Sequence, residues 1–154
     1  MTPKEFLNWY WAAEKPFIGA ADYGFLRPLE EAVLTFAEKA LGPEHPDTLI
    51  SVSNLAYLLF ESTGDFAAAE PLSRRALDGF ERVLGPGHPQ TLISANNLAR
   101  LLEATGDYGA AEPLYRRALD GFEAKLGADH PSTRTVRDNL ERFLAERDRR
   151  KEGT

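Results

Sequence analysis

The sequence predicts an all-α protein, a solenoid of stacked antiparallel helix pairs with about seven helices. Two observations carry that prediction. First, one block recurs: Leu41-Gly-Pro-Glu-His-Pro-Asp-Thr-Leu49, then Leu84-Gly-Pro-Gly-His-Pro-Gln-Thr-Leu92, then a looser Leu126-Gly-Ala-Asp-His-Pro-Ser-Thr133. The steps between His45, His88 and His130 are 43 and 42 residues, and a fixed period in this range is the signature of a repeat architecture. Second, the stretch inside each period holds apolar residues at helical spacing, divided by one Gly-Asp break. A helix with a single apolar stripe cannot bury it alone, so neighbouring pairs must stack.

The elements follow in chain order. Phe6 to Ala13 can form a helix that Pro16 cuts short. Phe6, Trp9, Tyr10 and Ala13 share one helical face, expected to close the end of the core, with Trp11 pointing elsewhere. Together with Phe17, Tyr23 and Phe25 they form an aromatic cluster, and any member left exposed would mark a partner or dimer contact. Residues 21–42 read as a second helix whose partner helix is eroded, so 1–42 is a degenerate repeat. Full repeats are expected over 43–85 and 86–127, with a capping helix in 128–150, all within one solenoid spanning 1–154.

The repeat at 86–127 shows the logic best. Its first helix should run from Pro89 to Thr105, with Leu92, Ile93, Ala95, Leu98, Ala99, Leu101 and Leu102 inward. Proline suits a first helical position, where its missing N–H has no partner to lose, and Gly106 suits a C-terminal stop. Asp107 can cap the next helix, Tyr108 to Leu126, whose inward residues are Ala111, Leu114, Tyr115, Ala118, Leu119 and Phe122. Pro113 falls inside that helix, and Pro71 in the one before, so a slight bend is expected at both. From Asn54 to Gly64 there is one residue more than from Asn97 to Gly106. The surplus, near Phe60, predicts a π-bulge or a looser turn.

Composition narrows function. Twenty-four acidic against eighteen basic residues give a net charge of -6, which argues against a general nucleic-acid binder. The chain has no cysteine, which removes thiol chemistry, disulfides and thiolate-bound metals. No apolar run approaches the roughly 20 residues needed to cross a bilayer, and no signal peptide is legible, so a cytoplasmic location is expected. No nucleophile motif, phosphate loop or metal-binding helix signature occurs, so no catalytic role, metal or cofactor is expected. A row of His45, His88 and His130, one per repeat, cannot converge on a metal, and each is expected to serve its loop or cap a helix.

Asn97-Leu-Ala99, Gly106-Asp-Tyr108, Ala111 and Ala118 fall where tetratricopeptide repeats place their packing residues. The long period, its Gly-Pro-x-His-Pro linker and its Ala-Glu-Pro-Leu-x-Arg-Arg-Ala-Leu helix are similar to the kinesin light chain type, over roughly residues 41–145. The resemblance implies a right-handed solenoid acting as a protein-interaction scaffold, with ligands along the concave face lined by first helices. On that analogy Asn54, Asn97 and Asn139 are candidate contacts to an extended peptide backbone, or else they tie neighbouring helices together. Tyr57, Arg100 and Arg142, three residues further on, share the same helix face and could grip an acidic or aromatic-containing segment. Kinesin light chain grooves take such segments. Arg74, Arg75, Arg116 and Arg117 are expected to be structural or solvated. The alternative function is structural: self-assembly through the solenoid ends and the aromatic N-terminus.

Overall fold

The computed structural model describes residues 1–14 and 23–152. Expectations that rest on Pro16, Phe17 and the side chains of Trp11, Ala13, Tyr23 and Phe25 lie outside what it describes. Among the described residues there are seven α-helices: α1 Pro3–Glu14, α2 Tyr23–Leu41, α3 Pro46–Leu58, α4 Phe66–Leu84, α5 Pro89–Thr105, α6 Tyr108–Leu126 and α7 Pro131–Glu152. Their contacts divide the chain into two compact units, Met1–Gly79 and Phe80–Thr154, with the division falling inside α4.

In the first unit α1 packs on α2, and α2 on α3. A reciprocal capping box starts α1: the Thr2 N–H donates to Glu5 Oε2 at 2.6 Å, and the Glu5 N–H to Thr2 Oγ1 at 3.2 Å. Leu7 and Tyr10 then bury against Val33 and Ala37 of α2. The inward face differs from the expected one, because Trp9 is 60% exposed. Leu7, at the i−3 position from Tyr10, takes the core place assigned to Trp9, and Phe6 lies partly buried beside it.

The surplus residue near Phe60 appears as expected. Leu59–Thr63 continues α3 as one π-helical turn and ends at Gly64, whose φ of 63° is left-handed. The Leu59 carbonyl accepts from both Thr63 Oγ1 at 2.8 Å and the Asp65 N–H at 3.0 Å, which holds the widened turn.

In the second unit α5 packs on α6, and α6 on α7. Helix α5 stops in a Schellman arrangement: Gly106 at φ 88° donates to Glu103 O at 3.1 Å, and Asp107 to Leu102 O at 2.8 Å. Asp107 Oδ1 then accepts the Ala110 N–H at 3.0 Å, the cap the sequence predicts for α6. Pro113 lies inside α6, as Pro71 lies inside α4, and both helices run on through their prolines. One expectation changes: Ile93 stands 40% exposed rather than in the core.

Each recurring loop delivers its histidine as a helix cap. Nδ1 of His45, His88 and His130 accepts the N–H two residues on, at 3.1, 3.2 and 3.1 Å. The acceptor must be the unprotonated nitrogen, so these imidazoles carry their proton on Nε2. His88→Ala removes one cap and is expected to cost about 1 kcal/mol in urea unfolding, whereas His88→Asn, a good capping residue, should cost only a few tenths. Equal losses for both substitutions would assign the stabilisation to packing of the ring instead.

The arginine pairs of α4 and α6 are structural. Arg74 and Arg116 reach back one turn to Glu70 and Glu112, at 2.8 and 2.7 Å. Arg75 pairs with Glu38 at 2.7 Å and donates to the Pro43 carbonyl at 3.4 Å; Arg117 repeats this with Glu81 and the Pro86 carbonyl. Each thereby ties a second helix to the end of the preceding second helix and to the loop after it.

Candidate functional site: the groove between α5 and α7

Helices α5 and α7 both follow a His-Pro linker and present the same register toward each other. Between them lies a groove of about 460 Å³. Asn97, Arg100 and Asn139 line it, so three of the six candidate residues come together. Phe122 of α6 contributes an apolar floor, Val136 an apolar wall, and Ile93 a rim, which accounts for the exposure of that isoleucine. Ser132 and Thr135 add hydroxyls, and Asn96 completes the lining.

Arg100 is the single charged residue of this lining. The groove surface is otherwise uncharged. It offers carboxamides that both donate and accept, beside an apolar patch, which suits an extended backbone carrying an aliphatic and an acidic side chain.

Asn96 was not singled out by the sequence. It is only 7% exposed, and its Oδ1 accepts from Asn139 Nδ2 at 3.1 Å. Asn139 thus ties α7 to α5 while still lining the groove. The Asn96-Asn97 doublet was the available signal, since side chains one residue apart on a helix diverge by about 100°, and one amide can face a neighbouring helix while the other faces the groove.

Arg142 takes another part. Its Nη1 and Nη2 donate to Glu103 Oε1 and Oε2, at 2.8 and 3.3 Å, and it does not line the groove. Glu103 is itself nearly enclosed, with its side chain 11% exposed, and accepts from the Tyr115 hydroxyl at 2.6 Å. Burial first, and then the Glu103 carboxylate, push the Tyr115 phenol far above its ordinary range, so it remains a donor. Asn54 is half-buried and Tyr57 is exposed on α3, in the first unit, and each is described with that unit alone.

Among the described residues no cluster of His, Asp or Glu could hold a metal, and no helix is long and apolar enough to cross a membrane.

The tetratricopeptide repeat family matches over residues 52–124. No curated protein matches. Among solved structures, a Podosopora anserina chain of nearly identical TPR-like repeats, assigned as a kinesin light chain, aligns at 25% identity with a TM-score of 0.73. The alignment covers 92% of this chain and 63% of that one, so this chain spans less than two thirds of that relative's length. A single-substitution form of the same relative gives the same figures. BtubC (BKLC) from P. vanneervenii is similar at the level of fold, with 19% identity and a TM-score of 0.57 over 79% of this chain. The fold is that of a protein–protein interaction module, and the chain is similar to tetratricopeptide repeat proteins of the kinesin light chain-like type.

Proposed function

We propose that the chain holds a partner protein by an extended segment laid along the groove between α5 and α7. One observation carries this: Asn97, Arg100 and Asn139 line a single groove over the apolar floor of Phe122. The carboxamides engage the segment's backbone, and the guanidinium engages a carboxylate. Asn54 and Tyr57 hold the corresponding register on α3 and are candidate contacts of the first unit by itself. Arg142 steadies the neighbouring surface through Glu103. The activity is binding rather than catalysis, and the cytoplasm is the expected location.

The test compares wild type with an Asn97→Ala, Arg100→Ala double variant, using the partner recovered from the source cell. Losing one charge-assisted hydrogen bond, worth about 1.5–3 kcal/mol, is expected to weaken the complex at least about tenfold. The circular dichroism spectrum should be unchanged. Undiminished affinity in the variant would place the partner on another surface.

A further inference from the structure

Two surfaces outside the groove have matching chemistry. On α1 and α2 stands a connected aromatic patch: Trp9 is 60% and Phe36 40% exposed, and Phe6 joins them with ring centroids 6.2 and 5.2 Å away. Large aromatic side chains held together in solvent are typical of a contact surface. On the second unit, the first turns of α6 and the last turns of α7 enclose a pocket of about 390 Å³. It is lined by Tyr108, Gly109, Glu112, Arg147, Arg150 and Lys151, with Arg147 also paired to Asp148 at 2.8 Å and Arg150 to Glu146 at 3.1 Å. The Glu112 carboxylate is already claimed by Arg116 at 2.7 Å and Arg147 at 2.6 Å. The Arg150 guanidinium lies 5.1 Å over the Tyr108 ring.

We propose that this aromatic patch seats against the α6–α7 pocket of a second copy of the chain, forming a heterologous self-association. Charge selects the occupant. Residues 1–79 carry twelve acidic and six basic residues, and residues 80–154 twelve of each, for net charges of -6 and 0. Pairing two patches with one another would bring two units of charge -6 together, whereas pairing patch with pocket brings the acidic unit to a unit of net charge 0. Indole is the best aromatic partner for a guanidinium or ammonium group, and Trp9 is the exposed indole of the patch. A contact between two different surfaces leaves one of each unused, so it propagates beyond a pair or closes into a ring.

Light scattering or sedimentation across a concentration series tests this on the intact chain. Wild type should show a mass-average above the 17.1 kDa monomer that rises with concentration. It should fall back in about 1 M salt, where the screening length shrinks to about 3 Å. Trp9→Ser alone, and Arg150→Glu with Lys151→Glu, should each be monomeric with unchanged circular dichroism. Mixing the two variants restores one patch and one pocket, so association should return and stop at a one-to-one pair. A wild type that stays monomeric throughout overturns the proposal. So does undiminished association of either variant alone, the Arg150→Glu, Lys151→Glu case pointing to a symmetric patch-to-patch contact. None of these substitutions touches Asn97, Arg100 or Asn139, so the outcome is separable from that of groove binding.

Discussion

Tyr115→Ala is expected to lower the free energy of unfolding by about 3–5 kcal/mol, the cost of emptying a fully enclosed aromatic position. Tyr115 is wholly buried on α6 and packs against Phe143 of α7 at a ring distance of 5.3 Å. Its hydroxyl anchors Glu103, which in turn holds Arg142. Tyr115→Phe keeps the ring and removes one hydrogen bond to a carboxylate, a loss of about 1.5–3 kcal/mol. The smaller figure is favoured, because Glu103 keeps Arg142 as a partner. Urea unfolding of both variants separates the two contributions; a loss below about 1 kcal/mol for the alanine variant would remove Tyr115 from the core. The alkaline limb gives a second reading. Burial and then Glu103 raise the folded phenol above the ordinary tyrosine value of 10.0, so above that pH the unfolded chain releases a proton that the folded chain retains. The stabilisation is therefore present below pH 10.0 and is lost as pH rises beyond it. Wild type should lose stability more steeply there than Tyr115→Phe, and parallel curves would show that Tyr115 ionises as easily folded as unfolded.

The helices were legible because repetition supplies its own control. Pro89, Gly106 and Asp107 have counterparts one period earlier in Pro46, Gly64 and Asp65, so caps and stops could be read twice, and the single surplus residue near Phe60 stood out as a π turn. The groove was legible only in part. Asn97, Arg100 and Asn139 followed from helix register, which fixes the face a residue occupies. Register does not say whether that face meets solvent or a neighbouring charge, and so Arg142 was read as a ligand contact although Glu103 holds it. Asn96 escaped because its partner, Asn139, lies one helix pair away and 43 residues along. Trp9 was placed inward because size and hydrophobicity favour burial. The α1–α2 contact instead admits Leu7, and the indole stays outside. A short helix offers several apolar faces, and only the neighbour's shape chooses among them.

That shape also decides the sign of a glycine substitution. An alanine in mid-helix is ordinarily favoured over glycine by about 1 kcal/mol, so Gly121→Ala in α6 would stabilise on propensity alone. Packing opposes it. A Cβ at Gly121 would stand 2.5 Å from Leu92 Cδ2 and 2.8 Å from Cδ1, and Leu92 is itself buried, with little room to turn. Overpacking of a closed core costs about 1–3 kcal/mol or more, and a contact this short belongs at the upper end. The expected result is a net loss of about 1–2 kcal/mol for Gly121→Ala, and likewise for Gly79→Ala, whose Cβ would meet Leu49 Cδ2 at the same 2.5 Å. Gly109→Ala, in the first turn of the same helix, meets only Asp107 Oδ1 at 3.8 Å and should stabilise by up to about 1 kcal/mol. Thermal unfolding of the three variants tests the contrast directly. A second substitution locates the cause: if Leu92 is the obstacle, Gly121→Ala should cost less in a Leu92→Ala background than in wild type, whereas a purely local backbone effect would cost the same in both. The glycine that recurs after Leu-Asp in α4 and α6 is then fixed by the approach of a leucine on the preceding helix, and the spacing of the helix pair is set there.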